Sequence, residues 1–295
     1  MSIVHGKLIV ATHETKWKED LPRFKQQAIT NGVADVELFS KQKVHDLEPQ
    51  VDCIGALWSP STGVLDSHTL MLSLLADAKN HSAILALNSK VDSGSIGPDG
   101  IQLTVDGNHI AGDAVVNSAG LWAGQLARQI HTDTLWKPPT QYFCKGSYFR
   151  LQSFKAPFVH LVYPVPEAAG GLGVHATMDW TGHGIKFGPD VEWLEEANPD
   201  FIDLTPNSAR SDSFHKAIRK YWPGLPDNAL VPDYAGIRPK QYHPRMSSKP
   251  ADFAILGSNK HGFPGLVHLF GMESPGLTSS MAIAEYVKEL VLGDI

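Results

Sequence analysis

Only two cysteines occur in 295 residues, Cys53 and Cys144, and they stand far apart, so a disulfide framework is excluded and a reducing compartment is expected. The 14 histidines form no His-x-x-x-His or His-Glu-x-x-His pattern and no Cys-x-x-Cys accompanies them, so no metal site is expected. A basic surplus is also missing. Lys and Arg number 25 against 31 Asp and Glu, a formal net charge of −6, which excludes a general nucleic-acid binder. No apolar run approaches the roughly 20 residues that span a bilayer. The first residues, Met1-Ser2-Ile3-Val4-His5-Gly6-Lys7, have neither a signal-peptide core nor an Arg-rich transit pattern. A Walker loop is absent, and Gly271-Met272-Glu273-Ser274-Pro275-Gly276 has one residue too many before the serine for a nucleophile elbow. What remains is a soluble, intracellular globular protein: 42% hydrophobic and 19% charged residues exclude disorder, and the length suits one large domain or two moderate ones.

One present motif invites a wrong conclusion. Gly171-Leu172-Gly173-Val174-His175-Ala176 satisfies the G-x-G-x-x-A pattern of a dinucleotide site, which requires a strand before it and a helix opening from its end. Here Pro164 and Pro166 stand upstream, and Met178 to Gly184 reads as a hairpin turn, so the segment is expected to be a strand of an antiparallel sheet. That sheet is expected from 142–151, 161–163, 171–177 and 183–188. Elsewhere the spacing predicts a strand over 6–12, helices after Trp17, after the cap Ser40 and after Asp66 or Ser67, a strand over 83–91, and an Asp-Gly hairpin near 106. A helix is predicted around 206–221, and a strand, a glycine-rich turn and an amphipathic helix close the chain. Alternation of such blocks implies two interleaved domains.

Two junctions carry chemistry better than the decoy does. In 114–127 a buried strand runs into Ser118-Ala119-Gly120 and then a helix. In 265–280 another strand ends in a glycine-rich turn that feeds a helix. Small residues let a backbone approach a ligand, and a helix N-terminus favours its negative charge, so the pair suggests one extended ligand with phosphates. Tight architectural packing explains each junction equally well. Arg238, held before Pro239, suits a two-pronged grip on a carboxylate, although a lone arginine is more often a surface ion pair.

Taken together, "VVNSAGLWAGQLA", "KGSYFRL", the 163–194 stretch, "YAGIRPK" and "HGFPGLVHLFGMESPGLTSSMAIA" resemble FAD-dependent oxidoreductases of the D-amino-acid oxidase superfamily, closest to its L-2-hydroxyglutarate dehydrogenase branch. The resemblance runs over essentially the whole chain, in the family's order. It implies a mixed α/β (α+β) fold in which an FAD-binding domain, 62–135 with 251–295, is interleaved with an antiparallel-sheet substrate domain, 1–61 with 136–250. It implies that Val91 contacts adenine, that Ser118, Ala119, Gly120 and Trp122 line the pyrophosphate and flavin side, and that Gly271, Ser274, Pro275, Gly276, Leu277 and Thr278 wrap the ribityl chain and ring. Arg238 matches the substrate-carboxylate arginine, and Tyr163, Lys145 and His175 fall on segments that face the flavin.

The implied reaction is oxidation of L-2-hydroxyglutarate to the 2-oxo acid, with electrons passing to oxygen, a quinone or a carrier protein. His175 is the expected base, since an imidazole titrates near pH 6.5, and Arg238 with Lys145 or Tyr163 is expected to hold the carboxylate. His175 as a merely hydrogen-bonded sheet residue is the alternative. An amino-acid or amine oxidase, and a non-catalytic remnant or interaction protein, are the alternative functions. The family's opening G-x-G-x-x-G unit has no counterpart here, so the chain is expected to be truncated, to expose an apolar groove near Val91 and Ser118–Trp122, and to hold no flavin by itself. In a eukaryotic source the location is expected to be mitochondrial if a targeting segment is missing, and otherwise cytoplasmic.

Overall fold

The structure, a computed structural model, describes residues 2–97, 100–130, 135–152, 155–166, 173–179, 184–245 and 252–293. By contact the chain forms two compact units. The first comprises Met1–Ile84, Gly146–Val191 and Leu204–Gly236, and the second Leu85–Lys145, Glu192–Asp203 and Ile237–Ile295. The chain passes from one unit to the other within two strands, Tyr142–Leu151 and Leu230–Lys240.

The first unit is built on a mixed sheet. From the Gly146–Leu151 end of its long strand the order runs through Ile185–Gly188, His175–Met178, Leu161–Pro164, Lys7–Ala11 and Gly55–Ser59 to Glu37–Ser40. All neighbours are antiparallel except Leu161–Pro164 and Lys7–Ala11, which pair in parallel. Side chains alternate across the sheet. On one face Leu8, Val10, Val162, Ala176 and Phe187 pack with Phe214 and Ile218 of the Ser211–Ile218 helix and with Tyr221 and Trp222 after it. Each large side chain so buried contributes roughly 1.5–3 kcal/mol, which makes this face the main core of the unit. On the opposite face Ile9, Ala11, Leu57 and Val165 meet Leu21, Trp17 and Phe24, while Lys7, Tyr163, His175 and Thr177 occupy the rest.

Local chemistry explains the helices around this sheet. The Leu21–Thr30 helix follows a π-helical turn at Lys16–Asp20 and ends at Asn31-Gly32. Ser40 accepts from the Lys43 N–H to start Lys41–Leu47, and Asp66 accepts from the Thr69 N–H to start Ser67–Asn80. The predicted strand over 83–91 is a correction. Extended pairing begins only at Val91, Asn88 turns into the left-handed region at φ 55°, and Ile84 and Leu87 are exposed. Apolar alternation marks a strand only where a ladder partner exists, and none is present among the described residues.

The second unit holds two small sheets. Val91–Gly97, Gly100–Val105 and Asn108–Gly112 form antiparallel hairpins, the latter two joined by the left-handed pair Asp106-Gly107. Ala254–Leu256, Leu266–Phe270 and Val115–Asn117 form the other, with Leu266–Phe270 antiparallel to the first and parallel to the last. Helices Ala123–Ile130 and Gly276–Leu292 follow the two parallel strands. These units divide the chain at other points than the domain boundaries expected from sequence. Residues 62–84 pack in the first unit, and 136–145, 192–203 and 237–245 count with the second.

The decoy motif is a strand. His175–Met178 pairs antiparallel with Leu161–Pro164 and with Ile185–Gly188, and no helix opens from Ala176. Gly171 and Leu172 lie outside the described residues.

Candidate functional site

The register Leu266↔Val115, Val267↔Val116 and His268↔Asn117 brings the carboxyl ends of two neighbouring parallel strands side by side. Each then turns on small residues into a helix. Ligands of α/β sheets lie beyond such carboxyl ends, where helix N–H groups are unpaired. In the first turn Asn117, fully buried, makes the geometry. Its Nδ2 donates to the Ala123 carbonyl at 2.9 Å, its Oδ1 accepts from the Ala119 N–H at 3.2 Å, and it bonds His268 Nδ1 at 3.1 Å. Gln141 clamps the same turn, donating to the Gly120 carbonyl and accepting from the Gly124 N–H, both at 3.1 Å. The Trp122 indole donates to Asp200 at 2.7 Å. Gly120 has φ 58°, and no heavy atom lies within 4 Å of where its Cβ would be, so open space adjoins the main chain there.

The second turn starts at Gly271, φ 68°, and passes through Ser274 and Pro275 to the helix that begins at Gly276. Lys240 donates to Glu273 at 2.6 Å and fixes this turn from the side, while the Thr278 and Ser279 hydroxyls donate to the Pro275 carbonyl. The N–H groups of Leu277 and Thr278 belong to the first turn of the helix and have no partner within it.

Arg238 and Lys145 also belong to the second unit. Arg238 Nη1 lies 3.3 Å from Cys144 Sγ. Burial pushes the Cys144 thiol up, and the guanidinium offsets that in part. Lys145 is buried and donates to the Asp203 carbonyl at 2.7 Å.

Tyr163 and His175 lie in the first unit, on the polar part of its sheet. Since Val162 opposes Ala176, Tyr163 opposes His175, and their rings stack with centroids 3.9 Å apart and planes 7° from parallel. Burial raises the Tyr163 phenol, and its hydrogen bond with Thr177 works the other way. The Lys7 ammonium is 5.4 Å from the Tyr163 ring centroid, and burial lowers its pKa.

The site residues expected from sequence thus divide. Val91, Ser118, Ala119, Gly120, Trp122, Gly271, Ser274, Pro275, Gly276, Leu277, Thr278, Arg238 and Lys145 share one unit, and Tyr163 and His175 form a stacked pair in the other. Sequence reasoning missed Asn117, Gln141, Lys240 and Lys7. The asparagine at the end of an apolar strand was a readable signal, whereas Gln141 and Lys240 act across distances that no local pattern shows.

Comparison with known proteins identifies the family. The family model of the DAO group, FAD dependent oxidoreductase, matches residues 3–290. The mitochondrial L-2-hydroxyglutarate dehydrogenase of Arabidopsis thaliana is 40% identical over 96% of the chain, which spans 65% of that protein. The glycerol 3-phosphate dehydrogenase of Caloramator mitchellensis is 25% identical over 97% of the chain, which spans 56% of it. Among solved structures, the FAD-bound L-alpha-glycerophosphate oxidase of Mycoplasma pneumoniae superposes with a TM-score of 0.82 at 23% identity, over 98% of this chain and 73% of that one. Glycine oxidase of Geobacillus kaustophilus does so with a TM-score of 0.76 at 18% identity, over 100% and 72%. The chain belongs to the DAO family of FAD dependent oxidoreductases.

Proposed function

We propose that this chain carries the cofactor-contacting and substrate-contacting residues of a flavin enzyme that oxidises L-2-hydroxyglutarate to the 2-oxo acid. The observation that carries this reading is the side-by-side pair of strand–turn–helix junctions in the second unit. Their residues suit FAD. The open space beside Gly120 admits a ligand against the main chain, and two helix N-termini favour phosphate. In this reading the second unit is the cofactor domain. Val91 meets adenine, Ser118, Ala119, Gly120 and Trp122 the pyrophosphate side, and Gly271 with Ser274–Thr278 the ribityl chain and ring. FAD, when bound, supplies the hydride acceptor that side chains lack.

The chain's own side chains do the rest. Arg238 holds the C1 carboxylate with its planar fork and so orients C2–H. The Cys144 thiol beside it is pushed up by burial, and the guanidinium offsets that in part. His175 accepts the C2 hydroxyl proton, and Tyr163 fixes the plane of its ring by stacking. Lys145, anchored on the Asp203 carbonyl, adds positive charge on the carboxylate side. The choice of L-2-hydroxyglutarate rests on the 40% identity to the Arabidopsis protein of that name, and so does a mitochondrial location in a eukaryotic source. No described helix is long and apolar enough to cross a membrane.

A dye-reduction assay with a panel of substrates tests the reading. L-2-hydroxyglutarate should be turned over, and the D-enantiomer, glycine and D-alanine should not. Turnover of glycine or D-alanine alone would overturn it in favour of an amine oxidase.

A further inference from the structure

One polar side chain of the second unit sits where the pattern calls for an apolar one. His268 is the middle residue of the Leu266–Phe270 strand and is fully buried. Leu266 and Phe270, two residues to either side and so on the same face, pack in apolar clusters with Ile130 and with Ala123 and Ala127. A buried imidazole in such a row is unfavourable unless its polar atoms are bonded. Register sets His268 beside Asn117 on the neighbouring parallel strand, with 3.1 Å between the histidine Nδ1 and the Asn117 Nδ2. The other bonds of that amide fix which atom donates. The Ala123 carbonyl, 2.9 Å from Nδ2, can only accept, and the Ala119 N–H, 3.2 Å from Oδ1, can only donate. Nδ2 therefore donates to His268 as well, and Nδ1 of the histidine is the acceptor. This makes His268 the neutral tautomer with its proton on Nε2. Its ring is held from three sides. Trp136 stacks on it with centroids 5.7 Å apart and planes 9° from parallel, Phe270 stacks at 5.4 Å and 20°, and His261 meets it edge-on at 5.5 Å.

We infer that His268 is the positioning residue of the 117–120 turn: its Nδ1 lone pair holds the Asn117 amide, and the amide holds the Ala119 N–H. All of these residues lie in the second unit. The Ala123 carbonyl takes only one of the two amide protons, so the second needs His268. Without that acceptor an Nδ2–H is left unpaired in a dry site, and the amide shifts toward another partner and releases Ala119. A turn ordered in advance loses less conformational freedom when a ligand arrives, so His268 acts on flavin affinity without touching the flavin. The inference rests on the function proposed above only in taking Ser118, Ala119 and Gly120 as flavin contacts.

Amide hydrogen exchange at Ala119, followed by NMR in the protein without added flavin, tests this with three variants of His268. Asparagine places an acceptor near the position of Nδ1, glutamine a polar atom near that of Nε2, and leucine neither. His268→Leu and His268→Gln should speed exchange at Ala119 roughly tenfold or more relative to the amides of Gly100–Val105, and His268→Asn by less than about threefold. FAD titration should follow the same order, with affinity falling roughly tenfold or more in the first two variants and less than about threefold in the third. Nitrogen-15 spectra of the unaltered protein should show His268 protonated on Nε2 and bare on Nδ1. These spectra and the contrast between the Gln and Asn variants decide the matter should the Leu variant fail to fold. Unchanged exchange at Ala119 in His268→Gln, an equal loss in the Gln and Asn variants, or a proton on Nδ1 would overturn the inference. Exchange in the predicted order with level FAD affinity would keep His268 as the positioning residue and remove the flavin from this turn.

Discussion

Arg238 and Cys144 illustrate how much one residue's surroundings decide. The guanidinium lies 3.3 Å from a thiol whose pKa burial pushes up and the guanidinium itself draws back in part. Arg238→Met should lower kcat/KM for a 2-hydroxy acid about 100-fold, roughly 3 kcal/mol of transition-state stabilisation, with Arg238→Lys restoring only part because the two-pronged grip is lost. Steady-state kinetics on both variants checks this. The same variant should act on Cys144: removing the positive neighbour raises the thiol further. Cys53 is pushed up to about 11, chiefly by burial. Neither thiol should therefore alkylate readily at pH 8 in the folded chain, and mass spectrometry after iodoacetamide treatment reads the result. Fast labelling of Cys144 would contradict its burial. Arg238, Tyr163 and His175 could be proposed from the sequence because each sits in a recognisable segment. The approach of Lys7 to the Tyr163 ring could not be read there, because it depends on the parallel register that sets Ile9 beside Tyr163.

At the scale of elements, the strand–turn–helix junctions were visible as small residues between an apolar strand and a helical pattern. Two helix starts were also readable, since Ser40 and Asp66 both accept from N–H groups of the helical turns they precede. The segment over 83–91 was misread because its apolar alternation carries no information about a partner strand. The conformation at Gly120 leads to a measurable contrast. Gly120→Ala places a methyl in open space at φ 58°, so the cost in stability should be about 1 kcal/mol, from backbone strain alone. Flavin retention should fall by more than that cost accounts for, because the methyl enters the space assigned to the ligand. Thermal melting and flavin titration of the same variant separate the two effects. A variant that loses stability but binds flavin unchanged would place the ligand elsewhere.

At the scale of the molecule, the two units differ in how they are held. The first has one large apolar cluster that includes Phe149, Phe187, Phe214 and Tyr221, whereas the buried clusters of the second are small, centred on Ile101, Ile130 and Leu266 and on Ala123, Ala127 and Phe270. Hydrogen exchange should therefore be slowest at Leu8, Val10, Val162, Ala176 and Phe187 and faster in the second unit's sheets. Tyr221 adds a pH dependence. Fully buried and donating to the Val174 carbonyl at 3.0 Å, it has a phenol raised well above 10 by burial. Its contribution to stability is intact below the unfolded value near 10 and is lost as pH rises above it, because the unfolded chain ionises first. Tyr221→Phe should shrink the fall in denaturation midpoint between pH 8 and pH 11. Interleaved units and an antiparallel sheet followed from the order of blocks in the sequence; the division by contact did not, because two strands each contribute to both units. Flavin reduction under single-turnover conditions tests the central claim most directly. The protein, loaded with FAD and mixed without oxygen with L-2-hydroxyglutarate, should lose its visible flavin absorbance and yield one 2-oxoglutarate per flavin. Deuterium at C2 should slow that loss several-fold. Flavin that stays oxidised with this acid, or that is reduced at the same rate by the C2-deuterated acid, would contradict C2–H oxidation at this site.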